Sequence, residues 1–250
     1  MRKLYVFISI VVMFSCNGEN VPDCFQNAGD LVRVEVEVSN FSTITVFENL
    51  NLVLRQGAEQ RVEIESGEFL INDITAEVED GRLIVRNENG CNFFRDLDIS
   101  TIYVTSPNIT EIRSSTGLLI SSDGVLNYPN LQLISESFIN TESETTDGTF
   151  DLDVNSENIS ITVNGIAFFK LSGATNNLNI GIAAGDSRIE SEELVAQNVV
   201  INHRGTNTIF VNPQQSLTGV IRGTGDVISI NRPGIVDVDE IFNGRLIFRE

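Results

Sequence analysis

A repeat of about twenty residues in the second half of the chain constrains the fold more than any other feature. Each of four segments has mostly apolar residues at its second, fourth and sixth positions and Gly or Ala at its eighth; they are residues 158–165, 177–184, 198–205 and 216–223. Their first residues lie 19, 21 and 18 positions apart. Short strands with small-residue corners at this spacing are typical of a β-solenoid, in which every coil stacks its inward side chains on the coil below.

The repeat predicts two ladders of inward side chains and an outward face of Asn, Ser and Thr. The ladders are Ile159, Leu178, Val199 and Leu217, and then Ile161, Ile180 and Ile201 with Gly219 at the end. A β-sandwich of similar alternating strands is the alternative, because alternation by itself does not determine which strands pair.

The first half of the chain also alternates, and Asx-Gly pairs interrupt it. The clearest case is residues 74–86, where two alternating segments flank Asp80-Gly81, which predicts a β-hairpin with a two-residue turn. We therefore predict an all-β protein, with an antiparallel β segment at residues 38–112 and solenoid repeats at residues 113–250. A helix is conceivable only as a short turn near residues 191–197.

The N-terminus has the features of an export signal. Two basic residues precede eleven mostly apolar residues, and Ser15-Cys16 follows. This apolar stretch is shorter than the roughly 20 residues that a membrane-spanning helix needs. It resembles the bacterial lipoprotein signal, which implies cleavage after residue 15, lipidation of Cys16 and an outer-membrane lipoprotein, either periplasmic or surface-exposed. Simple cleavage and secretion is the alternative. Residues 16–37 would then form a tether.

With Cys16 lipidated, two cysteines remain in an oxidising compartment, and we predict a disulfide between Cys24 and Cys91. In the chain-entropy model, closing the loop between these two cysteines would stabilise the folded protein by about 4 kcal/mol. Free buried thiols are the alternative.

The net charge of the chain limits the classes of molecule that it can bind. The net charge is -19, and removing Arg2 and Lys3 with the signal would make it -21. Such a surface repels nucleic acid and anionic lipid headgroups, since contacts with phosphates require clustered Lys and Arg. We expect no nucleic-acid partner, and membrane contact only through the lipid anchor.

Two regions of the chain carry distinctive motifs. Residues 216–234 contain Gly223-Thr-Gly225-Asp226-Val227 followed by Pro233, and residues 41–46, 52–57 and 78–85 are alternating segments near the N-terminus. They resemble the closing motif and the start of the bacterial head GIN domain family of auto-transporter adhesins. The resemblance covers roughly residues 38–248. It implies a right-handed β-helix-like fold, export from the cytoplasm and no established catalytic residues.

Few residues offer chemistry. His203 is the only histidine and falls on an inward repeat position, which predicts a neutral core imidazole hydrogen-bonded to backbone. Asp151 and Asp153 project from one face of a strand, as in β-helix enzymes that act on polysaccharides, and they weakly resemble a calcium loop. A solvated strand face is the simpler interpretation. Asp226 is expected to cap a turn.

We therefore predict no catalytic, cofactor-binding or metal-binding residues. The expected function is a lipid-anchored, non-enzymatic adhesin or surface binding module, whose partner is a glycan or protein of the envelope or of a host surface; the chain could also oligomerise. The alternatives are a structural scaffold of the envelope and a β-helix enzyme with Asp151 and Asp153 as its first candidates.

Overall fold

The computed structural model describes residues 27–47, 49–89, 99–139, 142–143 and 145–249. Within these ranges the protein is all-β apart from a single 3-10 turn at Ile71–Asp73. The strands are β1 (Leu31–Val36), β2 (Thr43–Val46), β3 (Asn51–Gln56), β4 (Arg61–Gly67), β5 (Ile74–Glu79), β6 (Arg82–Asn87), β7 (Thr101–Ser106), β8 (Glu111–Ser114), β9 (Leu119–Ser122), β10 (Asn130–Ser135), β11 (Thr149–Val163), β12 (Phe168–Ile182), β13 (Arg188–His203), β14 (Ile209–Ile221), β15 (Val227–Ser229), β16 (Ile235–Glu240) and β17 (Leu246–Phe248). The all-β prediction is confirmed.

The long strands β11 to β14 stack in parallel, one coil on the next. Asn158 pairs with Asn177, Asn177 with Asn198, and Asn198 with Ser216. The predicted register of the repeat is therefore confirmed residue by residue. Of the two predicted architectures, the β-solenoid is the one in which successive coils pair in parallel. The short helical turn considered near residues 191–197 is absent, because β13 runs through this stretch.

Each long strand turns a corner between two stacks of strands. The first residues of β11 pair with β9, whereas its last six pair with β10. Coil-to-coil pairing is interrupted at Glu157, Asn176 and Gln197, which mark this corner in three successive coils. The solenoid therefore has two parallel faces that meet along one edge.

The predicted inward ladders form the core. Ile159, Leu178, Val199 and Leu217 are all 0% exposed. Burying side chains of this size contributes roughly 1.5–3 kcal/mol each before the opposing entropy is counted. Other inward positions hold aromatic rings, and the rings of Phe150 and Phe169 stack with their centroids 4.6 Å apart and their planes 5° from parallel.

Gly219 closes the second ladder for a steric reason. Its φ is +127°, and a β-carbon built there would lie 2.0 Å from the carbonyl oxygen of Ile201 in the coil above. Only glycine tolerates both the backbone conformation and the close approach of the two coils.

The N-terminal part combines antiparallel and parallel pairing. The hairpin at residues 74–86 is confirmed, since β5 and β6 pair antiparallel and Asp80 and Gly81 both have positive φ. Strand β4 also pairs antiparallel, with both β1 and β7. Strands β2 and β3, however, pair in parallel with β8 and β9 and extend the solenoid towards the N-terminus. Alternating sequence is compatible with either direction, because both types of strand have a side-chain period of two.

Candidate functional site

A ladder of polar side chains runs along the solenoid at the first position of the repeat. The Nδ2 group of Asn158 donates to Asn130 Oδ1 at 2.7 Å, that of Asn177 donates to Asn158 Oδ1 at 2.9 Å, and that of Asn198 donates to Asn177 Oδ1 at 3.3 Å. Ser216 Oγ continues the series to Asn198 Oδ1 at 2.8 Å. Because Asn158, Asn177 and Asn198 each donate and accept, the ladder fixes their orientation and stabilises the adjoining corner.

A groove with a volume of about 390 Å³ lies along this corner, and we call it the corner groove. Its walls combine four amide side chains, one carboxylate, two hydroxyls and three apolar side chains. The lining residues are Asn127, Pro129, Asn155, Ser156, Glu157, Ala174, Thr175, Asn176, Val195 and Gln197. Asn155, Asn176 and Gln197 come from β11, β12 and β13, so three successive coils each contribute an amide.

Hydrogen bonds hold part of the groove wall in place. Asn155 Nδ2 donates to Asn127 Oδ1 at 3.0 Å, and Asn127 in turn donates to Gln56 Oε1 at 3.0 Å. Gln215 Nε2 donates to Gln197 Oε1 at 3.1 Å. The amides of Asn127, Asn155 and Gln197 are therefore held in fixed orientations, which lowers the entropic cost of binding a ligand.

Other polar groups of the groove have no hydrogen-bond partner in the described part of the chain. Asn176 and Glu157 are exposed, and their side chains make no hydrogen bond or ion pair to another described residue. Ser156 is only 8% exposed, yet its Oγ is unpartnered among the described residues. Ser156 lies on the inward side of β11, in the same alternation as the buried Leu152 and Val154, so its hydroxyl is not presented to a ligand in the groove.

The groove has one recognisable feature in the sequence, which is a polar residue immediately before the ladder position in each repeat. Moving one residue back along the chain gives Glu157, Asn176, Gln197 and Gln215, all of them polar. The repeat predicts the ladder but not this row, because alternation does not show where a strand bends and opens a concave surface.

His203 lies where the repeat predicts it. Its side chain is 0% exposed, between Ile182 and Ile221 of the adjacent coils, and Nδ1 accepts a hydrogen bond from the Gly205 N–H at 3.3 Å. Burial lowers the pKa of His203, opposed in part by backbone groups of Asn207 and Gly225. The prediction of a backbone-bonded core imidazole is therefore confirmed.

Asp151 and Asp153 lie on the exposed side of β11 and are not gathered into a cleft. Asp151 forms an ion pair with Lys170 at 3.5 Å, and the backbone N–H of Asp153 donates a hydrogen bond to Ser122 Oγ at 2.9 Å. In the described ranges no group of three or more His, Cys, Asp or Glu side chains is placed to hold a metal ion. The arrangement corresponds to a solvated strand face.

Asp226 caps the coil that follows it. Its Oδ1 accepts a hydrogen bond from the Arg245 N–H at 2.8 Å. This confirms that the carboxylate caps a backbone N–H group, with its partner in the next coil and not in its own turn.

The cysteines cannot be placed in this site. Cys16, Cys24 and Cys91, together with the signal at residues 1–15, lie outside the described residues, so lipidation and the disulfide stay predictions. Across the described residues, no helix is both long and apolar enough to cross a membrane.

These features define a class of protein: an acidic all-β solenoid with polar rungs and a corner groove lined by amides. Residues 40–233 match the model of the family described as "Putative auto-transporter adhesin, head GIN domain". The match covers most of the chain, and the chain belongs to this family.

Solved structures share the fold. A putative adhesin from Bacteroides fragilis is 19% identical, with a TM-score of 0.75 over 88% of this chain and 97% of that one. A putative lipid binding protein from Parabacteroides distasonis is 15% identical, with a TM-score of 0.58 over 88% and 97%. A putative adhesin from Parabacteroides merdae is 15% identical, with a TM-score of 0.57 over 89% and 97%. No curated protein matches the sequence.

Proposed function

We propose that this protein is a lipid-anchored, extracytoplasmic binding module that holds a surface molecule in its corner groove without catalysing a reaction. The observation that carries the proposal is the set of three amides, Asn155, Asn176 and Gln197, presented by successive coils along one open groove. Membership of the adhesin family and the resemblance of the N-terminus to a lipoprotein signal support the exported address.

The exposed polar groups favour binding over catalysis. Catalysis of acyl or glycosyl transfer requires a nucleophile or a pair of carboxyl groups converging on one bond. Within the corner groove, Glu157 is the only carboxylate, and Ser156 and Thr175 have no histidine among the other lining residues. The groove therefore offers hydrogen bonds without the groups that activate a substrate.

The test is a screen of the mature protein against arrays of glycans and of envelope and host-surface proteins. A parallel assay measures reducing and unsaturated ends after incubation with polysaccharides. We expect saturable binding and no release of new ends. Release of new ends that depends on Asp151 or Asp153 would instead support the enzyme alternative, and absence of binding to every probe would contradict the proposal.

A structural scaffold is the second candidate, and the last coil favours it. Strands β16 and β17 each pair on one side only within the described chain, and Ile235, Ile241 and Phe242 are between 56% and 60% exposed. In an antiparallel pair of two β16 strands centred on Val238, Asp237 of one strand would face Asp239 of the other, and this contact between like charges disfavours self-association. Crosslinking in intact envelopes through Phe242 would capture one defined partner protein if the scaffold role is correct.

A further inference from the structure

We infer that the ligand class of the corner groove is a neutral glycan, an inference that rests on the proposed function. The first reason is hydrogen-bond chemistry. Each of the four groove amides has two N–H donors and a carbonyl acceptor. Sugar hydroxyls likewise donate and accept, so rows of amides and rows of hydroxyls complement each other.

The second reason is charge. The ten lining residues include no Lys, Arg or His, and Glu157 supplies one exposed carboxylate. A uronate, sialate or sulfate would meet this carboxylate without a compensating cation, on a protein whose net charge is -19. Placing like charges together without a counter-charge is unfavourable, so the groove selects against acidic glycans.

The third reason is the repeated geometry. Strands of neighbouring coils lie about 4.8 Å apart. Asn176 and Gln197 occupy equivalent positions on β12 and β13, and Asn155 on β11 lies level with Ala174, so the three amides form a staggered series across three coils. Such a series suits a polymer that crosses several coils. Pro129, Ala174 and Val195 add apolar surface for the C–H faces of sugar rings.

The experiment measures binding of the mature protein to immobilised neutral oligosaccharides (glucans, mannans, galactans and N-acetylglucosamine oligomers) and to uronate-containing, sialylated and sulfated oligosaccharides. We expect binding to at least one neutral series. The double variant Asn155→Ala/Asn176→Ala is expected to weaken this binding by about tenfold or more, since it removes the hydrogen bonds of two amides.

Asn179→Ala is the matched control, because Asn179 is an exposed amide on β12 outside the groove. It should leave binding unchanged, and thermal unfolding should show that both variants are folded. Neutral binding that is equally strong in the double variant would overturn the placement in the groove.

The remaining outcomes separate this inference from the proposed function. Binding to acidic glycans alone, or to envelope proteins and no glycan, would overturn the neutral-glycan class while leaving a binding module. Absence of binding to every glycan and protein probe would overturn both.

Discussion

Arg113 Nη1 donates a hydrogen bond to Glu136 Oε1 at 2.6 Å, in an ion pair whose side chains are only 7% and 1% exposed. The other carboxylate oxygen accepts the N–H groups of Phe138 and Ile139, at 2.8 Å and 2.9 Å. Burial by itself would raise the pKa of Glu136, but the hydrogen bonds from Arg113, Ile139 and Phe138 outweigh it and the pKa is lowered. The ion pair therefore links the segment that follows β10 to strand β8.

Glu136→Gln should destabilise the protein by about 3 kcal/mol at pH 7, because it leaves the Arg113 charge buried without its partner. Since the folded-state pKa of Glu136 is lowered, its contribution is present above the ordinary glutamate pKa of about 4.3 and is lost as pH falls below it. Denaturant unfolding at pH 7 and at pH 3 should therefore show a difference from the parent protein that shrinks at pH 3.

Arg113→Met/Glu136→Leu is the control for this pair. Replacing both charges by apolar side chains removes the unpaired charge, so we expect most of the stability at pH 7 to return. A difference between Glu136→Gln and the parent that is the same at both pH values would contradict the assigned role of the carboxylate.

His203→Leu should change the pH dependence of stability between pH 6.5 and 5. Because burial lowers the folded-state pKa of His203, the unfolded chain takes up a proton first as pH falls below about 6.5, and the parent loses up to about 1.4 kcal/mol per pH unit. Leucine has no such proton and resembles the adjacent Ile182 and Ile221. Unfolding of untagged proteins at pH 7.5 and 5.5 checks this, since His203 is the only histidine. Parallel losses in both proteins would refute it.

Gly219→Ala should destabilise the protein by about 3 kcal/mol or more, for two reasons. The new methyl group would clash with Ile201, and alanine disfavours the positive φ at this position. Gly81→Ala is the matched control. Gly81 also has a positive φ, +77°, but a β-carbon there meets no atom within 4 Å, so the expected cost is only about 1–2 kcal/mol. Thermal or denaturant unfolding of the two variants measures the difference. Equal costs would mean that the coils are not in close contact at Gly219.

Mass spectrometry of protein purified from membranes should show an acylated N-terminal Cys16 and a peptide linking Cys24 to Cys91. Ala28, four residues after Cys24, accepts the Phe69 N–H at 3.2 Å, and Asn89, two residues before Cys91, donates from Nδ2 to Leu70 O at 3.1 Å. The two chain segments thus approach the same turn. Free Cys24 and Cys91 in a non-reducing digest would refute the disulfide, and an unmodified residue 16 would refute the anchor.

The periodic part of the fold could be predicted from sequence, whereas the candidate site could not. Ile159, Leu178, Val199 and Leu217 occupy one inward ladder as predicted, because the spacing of apolar residues determines which side chains stack. The parallel direction of β2 and β3 was not predictable, since alternation is the same in either direction. Nor was the Arg113–Glu136 pair, because the two residues are far apart in sequence and belong to no repeat.

The corner groove could be predicted from the sequence only in part. Its amides follow the repeat, but the concave surface arises where β11, β12 and β13 bend between the two stacks, and that bend depends on which strand each half pairs with. Polar residues at a corner are also what any exposed loop contains, so composition does not distinguish a binding site from ordinary surface.

The most direct test of binding in the corner groove is NMR of the mature protein, with each neutral oligosaccharide from the array added in turn. We expect the side-chain amide signals of Asn155, Asn176 and Gln197 to shift in a saturable way while that of Asn179 does not. Saturable shifts confined to residues outside the groove, with these three signals unchanged, would contradict it.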